Sequence, residues 1–347
     1  MAEPAVVVKA GRREHRRGLV LGAGGFLGAA WMVGALTSLQ RTTRWDAREA
    51  DLLVGTSAGS VLAALLRSGV SVADLYDAHH HARDGAELAG HVGPLPSSWV
   101  ELAAEPCWPG LPEFGVGSIP LLVRAAGHPL RFSPSAVCAA LLPRGRRSPH
   151  AIERLIEDAS TSSRWPDSTW VVAMNYHTGE RVVFGRPGSP TAPLARAVTA
   201  SCAVPGWYAP VRIGRTPYVD GGVCSVCNAD LLAGAELDEV YVLAPMASPR
   251  PDQPGDPLAR IERVWRRAVT TRLRREVGRL RAGGAEVTVL APNGTDLAAM
   301  GANLMNPARQ VAVLHAARAS VATQLSTPVD PTQRMGDTPV RMGVSAA

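Results

Sequence analysis

DLLVGTSAGSVLAALL, residues 51–66, decides how the chain is read. Asp51 is followed by an apolar run, Leu52 to Val54, that ends at Gly55-Thr56-Ser57-Ala58-Gly59. A small-residue segment with helical spacing comes next. A strand, a tight turn and a helix in that order form a nucleophile elbow of the G-x-S-x-G type. The turn must be sharp so that the Ser57 hydroxyl projects away from the backbone. Gly55 and Gly59 remove Cβ atoms where neighbouring backbone comes close. A helix starting near Ala58 directs unpaired N–H groups toward any oxyanion that forms beside Ser57.

The same arrangement occurs once before it. LVLGAGGFLGAAW, residues 19–31, reads as a buried strand over 18–23, a glycine turn and an apolar helix over 27–40. Gly22, Gly24, Gly25 and Gly28 keep this turn bare. The amides of Gly24 and Gly25 are candidate oxyanion donors alongside that of Ala58. The turn also comes close to a dinucleotide fingerprint, for which Asp46 or Glu49 would be the ribose acid. A serine elbow so soon afterwards favours acyl chemistry instead.

A serine hydroxyl needs a base. Asp220 stands at the end of an apolar stretch, directly before Gly221 and Gly222, where the backbone can turn hard toward another loop. A buried carboxylate there gains basicity. The alternative is a Ser-His-Asp triad, for which His315 is the one histidine after Asp220. It sits within VAVLHAARA, a helical pattern, and reads as a packed or partly exposed helix residue.

The rest of the chain frames these motifs. Strands are expected at 169–175 and 180–184, joined by His177-Thr178-Gly179 as a hairpin, and again at 239–244 and 286–291. Helices are expected at 192–203, 257–282 and 307–324. Strands alternating with helices predict a three-layer α/β/α sandwich. Between about 72 and 165 many prolines break the pattern, which predicts an inserted helical cap. His79, His80 and His81 fall there and read as a solvated cluster, because consecutive helical residues diverge. Residues 1–17 read as a flexible arm, 18–325 as the hydrolase domain, and 326–347 as a disordered tail.

Composition narrows the function. The chain has 347 residues, 46% of them hydrophobic, enough for a large core. Its formal charge is +6, and Lys9 is the single lysine among 36 basic side chains. The five cysteines lack a framework spacing, and Cys224 and Cys227 form a lone C-x-x-C without the second pair a zinc site wants. No metal or organic cofactor is expected. No secretory signal is read at the start, and no apolar run approaches the ~20 residues of a membrane span. A cytoplasmic protein with peripheral membrane contact is expected. The 257–282 helix carries nine arginines, Arg260, Arg263, Arg266, Arg267, Arg272, Arg274, Arg275, Arg279 and Arg281, interleaved with apolar residues. It reads as a surface helix packed on the sheet; the alternative reading is a basic face for anionic lipid headgroups. No nucleic-acid motif accompanies the charge.

Together AGGFLG (23–28), GTSAGS (55–60) and DGG (220–222) resemble the patatin-like phospholipases, over roughly residues 18–325. ASCAVPGWYAPV (200–211) and the Asn228 region resemble the family's segments on either side of the aspartate. The resemblance implies an α/β acyl hydrolase with a Ser–Asp dyad and no catalytic histidine. Ser57 would be the nucleophile, Asp220 the base, and Gly24, Gly25 and Ala58 the oxyanion hole. A lipid or ester is the implied substrate. The chain departs from the family's glycine loop in two places, with Ala23 for the first glycine and Leu27 for the basic residue. Without that cation a neutral ester suits the site as well as a phospholipid. A non-catalytic lipid-binding protein of the same fold is the other reading.

Overall fold

The structure is a computed structural model that describes residues 15–81, 98, 115–128, 131–160, 162–249 and 257–326. Residues 1–14 of the expected arm and 327–347 of the expected tail lie outside these. So do 82–97, 99–114, 129–130 and 161 of the expected cap, and 250–256.

The core is a mixed sheet built on β1 (Arg17–Leu21). β2 (Leu52–Thr56), β3 (Thr169–Asn175), β7 (Glu239–Leu243) and β8 (Glu286–Leu290) are parallel to it. β4 (Arg181–Phe184), β5 (Val211–Ile213) and β6 (Thr216–Asp220) are antiparallel additions. The order is β5-β6-β3-β2-β1-β7-β8, with β4 pairing on β3. Alternation along the strands separates two cores, as a two-fold side-chain period requires. Leu19, Leu21, Leu53 and Leu243 join one cluster; Val20, Val54, Val240 and Val242 join the other.

The first cluster is covered by α1 (Gly25–Thr43), α2 (Ala58–Arg67), α7 (Leu194–Ser201) and α10 (Gln310–Ser326). α1 and α10 lie side by side, tied where Ser38 Oγ donates to the Arg318 carbonyl at 2.6 Å. The second cluster is covered by α8 (Pro257–Ala282), which buries Val269, Leu273, Val277 and Leu280. This gives the α/β/α layering expected from the sequence.

Within the 72–165 region, α3 (Val72–His81) packs on α1 and α10, and α6 (His150–Ala159) packs on α7 and α2. Leu75 and Leu155 belong to the same core as Leu19. α4 (Ile119–Gly127) and α5 (Pro134–Leu141) instead form a small cluster with Met174, Tyr176 and Val219 at the strand ends. α9 (Gly294–Met300) opens with an Asn293–Asp296 capping box and leads toward α10. Among the described residues, no helix is long and apolar enough to cross a membrane.

The register around β3 places two strand ends together. Val171 and Val172 pair with both β2 and β4, so those two strands flank β3 on opposite sides. Ala173 and Met174 pair with both β4 and β6, so β6 also lies opposite β4. β2 and β6 therefore share one side of β3 and approach each other from opposite directions. β2 ends at Thr56, paired with Val172; β6 ends at Asp220, paired with Ala173. The residue after Thr56 is Ser57.

Candidate active site

Ser57 caps α2 with φ 53° and ψ −125°, a left-handed backbone that a serine adopts only when its surroundings enforce it. Several hydrogen bonds do so. Its N–H donates to Ser201 Oγ at 2.9 Å, and Ser201 Oγ donates in turn to the Val172 carbonyl at 2.6 Å. The Ser57 carbonyl accepts from Ser60 N at 2.7 Å and Ser60 Oγ at 2.6 Å. Gly59 lets α2 start close against β1, since a Cβ there would lie 2.0 Å from the Leu21 carbonyl oxygen. That close approach brings the start of α2 against the Leu21–Gly22 end of β1, where the Gly24–Gly25 turn begins.

Asp220 is buried, and burial pushes its carboxyl pKa up to about 6. The neighbouring Ser57 side chain and the hydrogen bond from Gly222 N to Oδ1 at 2.7 Å pull the other way. The sequence-predicted pair is thus brought together. Cys202 Sγ lies 3.8 Å from Ser60 Oγ, and burial holds it as a neutral thiol.

The glycine turn is held by its neighbours and leaves some amides over. Gly22 N donates to Leu243 O at 3.0 Å, Ala23 N to Val226 O at 2.8 Å, and Leu27 N to Leu304 O at 2.8 Å. Among the described residues, the Gly24, Gly25 and Ala58 amides have no such partner. Gly25 needs its missing side chain, with φ +61° and a Cβ position 2.9 Å from Met305 Sδ. Gly25, Ser57 and Ala58 share a cavity of about 90 Å³ whose other walls are mostly apolar, including Phe26, Val61, Leu62 and Ile152, with His79 and Tyr208 among them. Two ordered sets of amides beside a serine at the end of an apolar slot can bind a developing oxyanion while the slot takes a hydrocarbon chain.

Sequence reasoning missed the support beneath these groups. Glu276 of α8 is buried; Ser225 Oγ donates to its Oε1 at 2.5 Å and Ala229 N to its Oε2 at 3.0 Å. Asn228, in left-handed backbone at φ 55°, donates Nδ2 to Thr56 Oγ1 at 3.0 Å and to the Ser225 carbonyl at 2.5 Å. Arg181 reaches Asn228 Oδ1 at 3.1 Å and both oxygens of Asp230 at 2.8 Å. The 220–230 turn thereby carries Asp220 and touches the residue before Ser57 and, through Val226, the glycine turn. Only Asn228 carried a sequence signal, as part of the resemblance.

Two expectations are corrected. His79 is not solvated: it is 1% exposed, lines the Ser57 cavity, and hydrogen-bonds the Leu75 carbonyl through Nδ1 at 2.8 Å. Burial lowers its pKa to about 4, which keeps the ring neutral. It follows Val72 and Leu75 at helical spacing, so it shares their buried face. Within α8, Arg263 and Arg266 are buried and do not belong to an open basic face; Arg266 pairs with Glu262 and donates to the Pro245 carbonyl at 2.7 Å.

His315 lies outside the cavity lining. It meets His80 at 3.2 Å between ring nitrogens and stacks on His80 and Tyr76. Asp46, the acid of the dinucleotide alternative, caps the Ala47–Glu49 turn and pairs with Arg48 at 2.7 Å. Cys224 and Cys227 are free thiols, and the described residues contain no cluster of three or more His, Cys, Asp or Glu able to hold a metal.

Comparison with known proteins adds the following. Two solved structures match the chain at low similarity. One is the type III effector protein ExoU, at 16% identity and TM-score 0.35, over 90% of this chain and 53% of that one. The other is VipD from Legionella pneumophila, at 13% identity and TM-score 0.37, over 90% of this chain and 67% of that one. The chain spans about half the length of the first. No curated protein matches the chain. Residues 135–233, a stretch that contains Asp220 and the 220–222 motif but neither the 23–28 nor the 55–60 motif, match the family model described as Patatin-like phospholipase, and the resemblance to that family is borne out.

Proposed function

We propose that the chain is a serine acyl-ester hydrolase acting on lipids through a Ser57–Asp220 dyad. The observation that carries the reading is the register on β3, where β2 and β6 end head to head, so that Ser57 follows one strand end and the buried Asp220 carboxylate stands at the other. Ser57 Oγ attacks the ester carbonyl carbon while its proton passes to Asp220. The carbonyl oxygen takes the negative charge and is held by the Gly24, Gly25 and Ala58 amides. The tetrahedral adduct collapses, the alcohol leaves with the proton from Asp220, and an acyl-enzyme remains. Water then gives a proton to Asp220 and attacks the acyl carbon, and the proton returns to Ser57 Oγ as the fatty acid departs.

A carboxylate is a weaker base than imidazole. Burial that raises its pKa toward 6 narrows the difference, and fixed amides supply much of the remainder; one such donor is worth ~10²–10³ in rate. The apolar cavity favours an aliphatic acyl chain. With Leu27 in place of a cation, the site offers a phospholipid headgroup no added charge, so neutral glycerides and lysolipids fit the reaction as well as diacyl phospholipids.

A Ser–His reading would use His79, the imidazole that lines the cavity. Its Nδ1 is tied to Leu75 and its basicity is lowered by burial, so it serves as a neutral wall.

A panel of nitrophenyl esters and defined phospholipids, with Ser57→Ala as the blank, tests the proposal. Hydrolysis by wild type that is absent in Ser57→Ala supports it. No hydrolysis of any ester, with no phosphonate adduct on Ser57, would leave a non-catalytic lipid binder.

A further inference from the structure

Six of the eight exposed large apolar side chains among the described residues belong to one surface: Val116, Ile119, Val123, Leu141, Leu142 and Val204. Their continuity follows from contacts. Ile119 and Val123 lie one turn apart on α4, 64% and 66% exposed, while Leu121 and Ala125 of the same helix are buried. The Gly117 and Ser118 amides donate to the Ala140 carbonyl at 2.9 and 3.1 Å, which seats the turn containing Val116 on the end of α5. Leu141 and Leu142 stand at that end. A Cβ built on Gly206 would lie 3.7 Å from Leu142 Cβ, so Leu142 touches the 204–207 turn. Val204 begins that turn, is 39% exposed, and lines the cavity above Ser57. The apolar surface therefore runs from α4 to the mouth of the candidate active site.

Charge on this segment has one sign. Residues 114–152 contain no aspartate or glutamate, but hold Arg124, Arg131, Arg144, Arg146 and Arg147. Arg124, Arg131, Arg144 and Arg146 are exposed. An apolar patch edged by arginines, without a carboxylate of its own, complements a surface that is hydrocarbon beneath and phosphate above. A protein partner with a mixed-charge rim would be met by nothing on the acidic side.

We infer that this α4–α5 face, continuous with Val204, docks on an anionic phospholipid bilayer and feeds acyl chains into the cavity. The side chains of Ile119, Val123, Leu141 and Leu142 enter the hydrocarbon boundary, and the arginines meet headgroup phosphates. The surface is distinct from α8, several of whose arginines are committed to internal partners. Only the delivery of chains rests on the hydrolase reading; the docking does not.

The test uses the full chain in vesicle flotation, with phosphatidylcholine vesicles that contain or lack phosphatidylserine. Wild type and Ser57→Ala are expected to float with the anionic vesicles. The triple variant Ile119→Ser/Val123→Ser/Leu142→Ser changes exposed positions only and is expected to lose vesicle association by at least about tenfold. Its hydrolysis of a soluble short-chain nitrophenyl ester stays at the wild-type rate, which also reports that it is folded. Arg124→Gln/Arg146→Gln is expected to bind both vesicle types alike, and Arg267→Gln/Arg274→Gln/Arg275→Gln to float as wild type does. A triple variant that floats like wild type overturns the inference, as does loss of flotation only on changing α8. A wild-type dimer that the triple variant converts to monomer, with neither binding vesicles, would make the face a contact between copies and also overturn it. Flotation lost in the triple variant while wild type hydrolyses no ester would sustain the docking and remove the hydrolase reading.

Discussion

Asp220→Asn is expected to end hydrolysis and to make the fold more stable near neutrality. In the native state burial holds the carboxyl pKa at about 6, against 3.8 for the free group. The native state therefore holds that proton more tightly than the unfolded chain does. Stability from this group is fullest below pH 3.8, falls as pH rises toward 6, and stays low above it. Between those values the loss amounts to about 3 kcal/mol at pH 7. Asparagine carries no charge to bury, and its Oδ1 can still accept from Gly222 N. Urea unfolding at pH 7 should place Asp220→Asn above wild type by up to about 3 kcal/mol, with unchanged slope. At pH 4 most wild-type molecules have a neutral Asp220, and the gap should close. A variant no more stable than wild type at pH 7, or a gap that persists unchanged at pH 4, would contradict a desolvated carboxylate at this position.

Other expectations concern rate and specificity. The same carboxylate must be ionised to accept the Ser57 proton, so kcat/KM should fall on the acid side with a midpoint near pH 6, read from a pH–rate profile on a soluble ester. Asn228→Ala removes the bonds to Thr56 Oγ1 and the Ser225 carbonyl and strips Arg181 of one acceptor; it should cost about 1–3 kcal/mol of stability in thermal unfolding and lower kcat more than KM. Ala29→Phe fills part of the apolar cavity and should shift hydrolysis from long-chain toward short-chain nitrophenyl esters, measured as the ratio of their kcat/KM values.

What could be read from the sequence was local. The two glycine turns after apolar strands are short-range patterns, and the structure has the elements where the residues put them. The β3–β4 hairpin was marked by its turn residues in the same way. Asp220 was found as a carboxylate before two glycines, but its meeting with Ser57 depends on which side of β3 is left open to β6, a property of pairing that no single segment encodes. Ser201 and Glu276 escaped notice because their roles arise only from contact with strands and turns distant in the chain. His79 was hidden by its two neighbours: a run of three histidines reads as polar, yet the helical spacing from Leu75 turns one of them inward. Arg266 misled in the opposite direction, since its long stem is buried while its guanidinium finds Glu262 and a backbone carbonyl.

The dyad is tested most directly by locating the adduct of a fluorophosphonate by mass spectrometry in wild type, Asp220→Asn, His79→Ala and His315→Ala. Wild type and both histidine variants should carry the label on Ser57, and Asp220→Asn should not. Labelling of Ser57 that survives in Asp220→Asn, or disappears when either histidine is removed, would contradict a carboxylate acting alone as the base.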